Sequence, residues 1–276
     1  NDPDSTNWTG TVDYGDGSNI QPFALLGTNF SFNHIYKDNG VYLISINITD
    51  NLGATGNTTV QVIVNNVSPS VGVITPSTSL LEINNSITAT ATFIDPGVLD
   101  THTASWNWGD GSAPGFITET EGSGSVSNSH IYSSPGVYTA TLTVSDKDGG
   151  LGTSTYQYIV AYDPNAGFLT GSGNYDSQIG WDFQNNQSSG KTNFRLNSKY
   201  TTGNTPIGQT KLNYKNGNIS FSSTSYQWLV ILGAKAILKG NGEVNGSGDY
   251  TFLISAIDGS QTGSQNLFRF QIKDSS

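Results

Sequence analysis

The residues of this sequence best suited to chemistry are aspartates that follow apolar segments. Ca²⁺ prefers carboxylate and carbonyl oxygens and accepts about six to eight of them in flexible geometry. If the apolar segments are strands of a sandwich, loops at one end bring such carboxylates together. We expect Ca²⁺ to be bound there, with ordinary turn-forming aspartates as the alternative and no cofactor otherwise required. The candidates fall in the middle and at the start of the chain: Asp95, Asp100, Asp146 and Asp148, and Asp2, Asp4 and Asp50.

Two histidines, His34 and His130, lie in the same local pattern, His-Ile-Tyr. Each is expected near a Gly-Asp-Gly turn, so we predict structural hydrogen bonds to Asp16 and to Asp110 over a catalytic or metal-binding role. The sequence contains no Gly-x-Ser-x-Gly, His-Glu-x-x-His or paired-glutamate signature. We therefore predict that the segment is not an enzyme.

Strands must position these residues, because apolar and polar residues alternate along the chain. The alternation is clearest in residues 41–49, 60–64, 87–93 and 137–144, and half-buried strands have this period of two. Only 12% of residues are charged, while glycine is frequent at 33 residues. This composition is typical of short strands joined by tight turns, so an all-β fold is predicted.

The chain also contains an internal repeat with an offset of about 96 residues. Three motifs recur in the same order: Gly-Asp-Gly-Ser, His-x-Tyr with Gly-x-Tyr, and an aspartate followed by a glycine turn. The matching segments are 15–18 and 109–112, 34–42 and 130–138, and 50–53 and 146–149. The repeat indicates two copies of one structural unit.

These motifs, in this order, resemble the PKD domain family over about residues 1–162. The resemblance implies tandem immunoglobulin-like β-sandwiches. In such sandwiches a corner tyrosine bonds back to the preceding loop, and Tyr42 and Tyr138 have the matching positions. The Gly-Asp-Gly segments are predicted to be tight corners whose glycines take positive φ.

Three domains are predicted: a PKD-like sandwich lacking its first strands at 1–67, a PKD-like sandwich at 68–162 and an antiparallel β-sandwich at 163–276. The last resembles a β-domain that trails PKD repeats in bacterial and archaeal surface proteins. Nothing in the first copy corresponds to residues 71–94. Either upstream strands were removed, or another subunit donates a strand, which would produce head-to-tail polymers.

The aromatic residues of the C-terminal segment suggest both packing and sugar binding. Tyr226, Trp228, Val230 and Leu232 are expected to share one core face, which assigns Trp228 to packing. Trp181, in a loop-like stretch, is the candidate for binding a ligand such as a glycan.

The charge of the chain and its lack of cysteine exclude some classes of partner and of chemistry. The net charge is −10 and no run of Lys or Arg occurs, so nucleic acid is not an expected partner. Residues 1–162 hold only Lys37 and Lys147 of the 11 basic residues, so cation affinity is expected there. The absence of cysteine excludes disulfides and thiolate chemistry. With no long apolar stretch or Met, we expect a processed or excised segment that does not insert into a membrane.

Asn-x-Ser/Thr sequons predict glycosylation, although sequons are expected by chance in so Asn- and Thr-rich a chain. They lie at Asn7, Asn29, Asn47, Asn57, Asn66, Asn84, Asn186, Asn218 and Asn245.

The predicted function is a non-catalytic structural or interaction segment of a microbial cell-surface protein: a surface-layer subunit, an extracellular filament or an adhesin stalk. Its expected partners are other subunits or envelope components, including copies of itself, and glycans. The alternative is an accessory carbohydrate- or protein-binding module of a secreted hydrolase, because PKD domains also accompany collagenases and chitinases. Both place the chain outside the cell.

Overall fold

The computed structural model describes residues 5–25, 29–180, 182 and 186–275. These residues form 21 strands and one short helix, which confirms the all-β prediction. The strands make four sheets. Below, β1 to β4 are the first sheet, β5 to β14 the central sandwich, and β15 to β21 the C-terminal sheet.

The first sheet is antiparallel, with strand order β2-β1-β3-β4. Alternation along β3 directs Ile44, Ile46 and Ile48 to one face, where they pack with Val12 and Tyr14. Its strands are β1 (Trp8–Asp13), β2 (Gln21–Ala24), β3 (Gly40–Asp50) and β4 (Thr55–Val64).

Among the described residues, no second sheet covers this apolar face of the first sheet. Of the residues that the structure describes, only Val12, Tyr14 and Ile46 are buried in its core, and Val60 on the same face of β4 is 51% exposed. The core is therefore shallow.

The central sandwich consists of two five-stranded sheets, ordered β10-β9-β13-β14-β7 and β11-β12-β8-β5, with β6 also paired to β8. The first of these repeats the order of the first sheet. The strands are β5 (Ser70–Val71), β6 (Thr75–Pro76), β7 (Leu80–Glu82), β8 (Ser86–Ile94), β9 (His102–Asn107), β10 (Ser112–Pro114), β11 (Phe116–Thr120), β12 (Ser123–Ile131), β13 (Gly136–Asp146) and β14 (Leu151–Tyr162).

Two features hold the central sandwich together. Between its sheets lies a core that includes Trp106, Trp108, Phe93 and Leu142, each almost completely buried. At one edge, β7 pairs with β14 in parallel, and the amide of Val160 donates to the carbonyl of Ser79 at 2.8 Å. The second strand layer, missing over the first sheet, accounts for this much larger core.

The C-terminal sheet is an antiparallel meander in which each strand pairs with the next. The sheet curls so that strands near its two ends meet: Phe194 on β16 stacks on Phe268 on β21, with ring centroids 4.0 Å apart. One sheet thus supplies both layers of a sandwich-like core. The strands are β15 (Phe168–Ser177), β16 (Gly190–Lys199), β17 (Ile207–Tyr214), β18 (Ile219–Leu232), β19 (Lys235–Val244), β20 (Ser247–Ile257) and β21 (Leu267–Asp274), and α1 (Gly259–Thr262) joins the last two.

Strand β18 corrects one prediction, because Tyr226 and Trp228 do not share a face. The register of β18 against β19 shifts at Gln227, a β-bulge. One inserted residue moves every later side chain to the other face. Tyr226 packs inside the C-terminal sheet, whereas Trp228 packs outside it against Val160 of β14. Trp228 is a packing residue, as predicted, but at the contact with the central sandwich.

Helix α1 is only four residues long. No helix in the described ranges is long and apolar enough to cross a membrane.

Candidate metal centre

The repeated motifs bring each histidine close to an aspartate in both copies. The Nε2 atom of His34 lies 2.7 Å from Asp16, and that of His130 lies 2.8 Å from Asp110. Each ring also stacks on an aromatic residue of the preceding strand end, His34 on Tyr14. The hydrogen bond predicted for His34 is confirmed, whereas His130 lies close to Asp110 without the geometry of a hydrogen bond.

The corner tyrosines also behave as predicted. The hydroxyl of Tyr42 donates to the carbonyl of Asp38 at 3.0 Å, and that of Tyr138 donates to the carbonyl of Ser134 at 2.8 Å. Both bonds tie the start of a long strand to the loop before it. In the first copy, that loop carries Asp38 to the central sandwich.

Three buried carboxylates meet at the end of the central sandwich that faces the first sheet. Asp95 follows β8, Asp100 precedes β9 and Asp146 ends β13, and each side chain offers an oxygen within 4.8 Å of the other two. All three residues are less than 7% exposed. Oxygens bound to one Ca²⁺ at about 2.3–2.6 Å have such mutual separations.

A second acidic group shares Asp100 with the first and contains Asp38 and Asp148. Lys147 Nζ lies at its centre, 2.7 Å from Asp38 and 2.5 Å from both Asp100 and Asp148. The ammonium neutralises part of this group. Asp148, predicted as a calcium ligand, therefore forms an ion pair with Lys147. Asp38, in the loop before β3 of the first sheet, forms an ion pair with the same lysine.

Loop geometry fixes Asp146 in the first group. Its Oδ1 accepts the amides of Asp148 and Gly150 at 2.9 and 2.8 Å, and its Oδ2 accepts Nδ2 of Asn66 at 2.9 Å. Burial raises the pKa of Asp146, but these hydrogen bonds outweigh it and hold the pKa below its ordinary value. Asp146 is therefore an anion at neutral pH.

Asp100 is the least satisfied member of the group. Its side chain is 1% exposed, and its Oδ2 accepts no hydrogen bond from the described part of the chain. Burial raises the pKa of Asp100, with further increases from the charges of Asp38 and Asp95, while Lys147 opposes the rise. Lys147 supplies a cation to Oδ1 at 2.5 Å, and a proton or a second cation at Oδ2 would satisfy the rest of this buried carboxylate.

Two glycines leave room for the carboxylates. A Cβ at Gly97 would lie 2.2 Å from Oδ2 of Asp100, and a Cβ at Gly150 would lie 2.3 Å from Oδ2 of Asp146. Ser68 Oγ, 2.8 Å from the same point at Gly150, adds a neutral oxygen beside the group. Side chains at these glycines would fill the space between the acids and the linker before β5.

Buried His102 is a further neighbour that sequence reasoning missed. Its Nδ1 lies 2.7 Å from Glu119 and its Nε2 lies 3.3 Å from Asp95. The first copy has no histidine at the matching place, so the repeat gave no signal for it. His102 thus contacts Oδ2 of Asp95 and helps to fix the orientation of this carboxylate.

The other predicted sites are only partly described. Asp50 of the first copy accepts the amides of Leu52 and Ala54 through one oxygen, at 2.9 and 2.8 Å, and the hydroxyl of Ser5 through the other at 3.0 Å. Asp2 and Asp4, predicted beside it, and Trp181, predicted to bind a ligand, lie outside the described residues.

Several sequon asparagines have conformational roles. Asn84, Asn218 and Asn245 have φ of 68°, 52° and 55°, the left-handed region that Asn tolerates in tight turns. Asn66 is half-buried, and its amide is engaged by Asp146. The other eight sequon asparagines are exposed.

A family model matches one part of the chain. Residues 66–160 match the model of the PKD domain family, which corresponds to the central sandwich together with its preceding linker. No curated protein matches the chain.

Solved structures give only distant likenesses. A carbohydrate-binding module of the β-sandwich superfamily has 15% identity and a TM-score of 0.30, over 76% of this chain and 79% of that one. Spo0M, a sporulation control protein of Bacillus subtilis, has 8% identity and a TM-score of 0.28, over 75% and 91%. SGBP-B of a Bacteroides ovatus mixed-linkage glucan utilization locus, in complex with a heptasaccharide, has 11% identity and a TM-score of 0.19, over 83% and 58%. None of these values supports an inference about function.

Proposed function

We propose that this chain is a non-catalytic structural segment of an extracellular protein in which Ca²⁺ stiffens the junction between tandem PKD-like units. The PKD match supports a structural or binding module outside the cell. The observation that carries the calcium proposal is the buried group Asp95, Asp100 and Asp146, in which one oxygen of Asp100 accepts no hydrogen bond from the described residues.

The junction is where a cation would have a mechanical effect. The amide of Leu99 donates to the carbonyl of Lys37 at 3.2 Å, and Lys147 bridges Asp38 to Asp100. Ca²⁺ held by Asp95, Asp100 and Asp146 would neutralise the excess negative charge beside the linker, whose Asn66 donates Nδ2 to Asp146. Two units joined by five residues, 65–69, would then behave as one rod.

Calorimetric titration of the whole chain with Ca²⁺ tests this proposal. We expect saturable binding of one ion at the group and a higher Tm in Ca²⁺ than in EDTA. Asp95→Asn should remove both effects, whereas Asp249→Asn, an exposed aspartate of the C-terminal sheet, should leave them intact. Unchanged Tm on chelation in the wild type would rule the site out.

The open face of the first sheet favours a second role, self-association by strand donation. Its exposed Val60 belongs to the face that, in the central sandwich, is covered by β8 and β12. A strand from another copy placed over this face would bury apolar surface worth about 25 cal/mol per Å². Such subunits would form the filaments or layers of a microbial envelope.

Sedimentation of the chain over a concentration series tests strand donation. We expect concentration-dependent oligomers that Val60→Lys suppresses, because the substitution places a charge on the open face. Val41→Lys, on the opposite face of the same sheet and 63% exposed, is the matched control. A wild-type chain that remains a monomer at high concentration would eliminate this role.

A further inference from the structure

A cleft of about 680 Å³ lies where the central sandwich meets the C-terminal sheet. Its floor is the packed contact of Trp228 with Val160, which includes the partly buried Leu253 and Ile237. One wall is β14 and the other is the outer face of β18 to β21. The cleft shares no residue with the aspartate group, and its size is that of an ordinary ligand site.

Each wall contains a β-bulge at the cleft. In β14 the register shifts at Tyr158, which has a φ of 70°. In β18 it shifts at Gln227. The matching strand of the first sheet, β4, pairs with β3 without a shift, so the fold itself does not require the bulge in β14. Left-handed backbone is unfavourable for a tyrosine, and bulges of this kind redirect side chains at functional sites.

The bulge in β14 places an aromatic ring at the mouth of the cleft. Tyr158 is 66% exposed, whereas a tyrosine in a strand usually packs against a neighbouring strand. An exposed ring above an apolar floor can stack on the apolar face of a sugar ring. Gln227, whose Nε2 donates to Asn241 at 3.0 Å, is held in place on the opposite wall.

The polar lining indicates a hydroxylated, negatively charged ligand. It contains three amides, Gln157, Gln227 and Gln271, and two ammonium groups, Lys239 and Lys273, but none of the lining residues that the structure describes is an acid. Both lysines belong to the C-terminal sheet, the part of the chain that holds nine of the eleven basic residues. Amides bond to adjacent hydroxyls, and lysine attracts carboxylates.

The geometry disfavours a peptide or a nucleic acid. The floor of the cleft offers no edge to a peptide strand, because β18, β19 and β20 are interior strands of their sheet. Two lysines offer too few phosphate contacts for nucleic acid. A ligand on this floor is therefore recognised through side chains.

We propose that this cleft binds an acidic polysaccharide, a hexuronate chain whose carboxylates face Lys239 and Lys273 and one of whose rings stacks on Tyr158. This inference rests on the proposed extracellular function and specifies a ligand for it. The cleft does not contain the calcium site, so binding is measured in EDTA. A loss of calcium binding would thus leave this proposal standing.

Calorimetry in low salt with an oligogalacturonate tests the proposal, with a neutral β-1,4-glucan oligosaccharide and poly-glutamate as comparison ligands. We expect saturable binding of the uronate that weakens as salt rises, and at least tenfold weaker binding of the neutral sugar. Absence of uronate binding overturns the proposal. So does poly-glutamate that competes equally, because the occupant would then be an acidic polypeptide.

Two variants locate the binding. Tyr158→Asn removes the ring and keeps a residue that tolerates φ near 70°, so the fold should hold while uronate affinity falls at least tenfold. Lys239→Gln with Lys273→Gln should abolish the preference for uronate over the neutral sugar. The controls are Phe116→Ala, an exposed aromatic elsewhere, and Lys191→Gln with Lys211→Gln, lysines outside the cleft. Equal affinity of Tyr158→Asn and wild type, at equal Tm, overturns the assignment.

Discussion

At the scale of single residues, identical side chains have opposite electrostatic roles at the junction. Asp146 accepts three hydrogen bonds and has a lowered pKa. Asp100 has one oxygen without a hydrogen bond and a raised pKa, first because it is buried. The environment of each carboxylate, and not its residue type, decides whether its charge stabilises the apo fold.

Asp100→Asn should therefore stabilise the chain without calcium and remove its response to calcium. Neutralising a buried, partly paired charge is expected to raise the free energy of unfolding in EDTA by about 1 kcal/mol. Lys147 keeps Asp38 and Asp148 as partners, so it is not left uncompensated. Urea unfolding in EDTA and in Ca²⁺ measures both effects. A variant less stable than wild type in EDTA would contradict the argument.

Asp16 should make stability depend on acid pH. The pKa of Asp16 is lowered to about 2, first by the Ser18 hydroxyl and then by His34, against burial. A lowered folded-state pKa gives stability that is complete above the ordinary value of 3.8 and is lost as pH falls towards about 2. Asp16→Asn should cost about 1 kcal/mol at pH 6 after solvent screening, and almost nothing at pH 2. A cost independent of pH in urea melts would contradict this origin.

At the scale of elements, the first Gly-Asp-Gly turn requires its glycines for two reasons: their positive φ and the close approach of the turn to β3. Gly15 and Gly17 have φ of 73° and 79°. A Cβ at Gly15 would lie 2.6 Å from the carbonyl oxygen of Leu43, whereas a Cβ at Gly17 would meet nothing within 4 Å. The first glycine is needed for contact and conformation, the second for conformation alone.

Gly15→Ala and Gly17→Ala separate these two requirements. Both should lose about 1 kcal/mol from the strained φ. Gly15→Ala should lose about 1–3 kcal/mol more, because the turn must move away from β3. Thermal unfolding of the two variants gives the comparison. Equal destabilisation would mean that the contact with Leu43 is unimportant.

The sequence predicted much of the fold and part of the site, for physical reasons that differ by residue. Alternation and repeated motifs predicted the strands, the His34 bond to Asp16 and the corner tyrosines, because these depend on local spacing. They did not predict the bulge at Gln227, since one inserted residue leaves no compositional signal. The curl of the C-terminal sheet arises from contacts between distant strands such as Phe194 with Phe268.

The sequence also predicted part of the candidate site. Asp95, Asp100 and Asp146 follow from loops at one end of one sandwich. Asp38 could not be placed with them, because its position depends on how two units meet across a linker. Asp148 lies in the second acidic group, and the sequence did not indicate that Lys147 would contact it there.

At the scale of the whole molecule, the two junctions have different chemistry. The first sheet meets the central sandwich through charges around Lys147. The central sandwich meets the C-terminal sheet through an apolar contact at Trp228 and Val160. The first junction should respond to salt and cations, and the second should not.

Lys147→Met tests the charged junction. Without the ammonium, Asp38, Asp100 and Asp148 repel one another, so the contact should loosen and residues 65–69 should be cleaved faster by protease in EDTA. Lys215→Met, an exposed lysine of the C-terminal sheet, is the control and should be cleaved like the wild type. Equal cleavage of all three proteins would show that Lys147 does not hold the junction.

The parallel pairing of β7 with β14 has a mechanical consequence. The two strands stand near the entry and exit of the central sandwich, so tension applied at the chain ends loads their hydrogen bonds in shear, all at once. The first sheet, with its shallow core, has no such clamp among the described strands. Extension of single molecules by atomic force microscopy should therefore show the first sheet rupturing at low force and the central sandwich resisting longest.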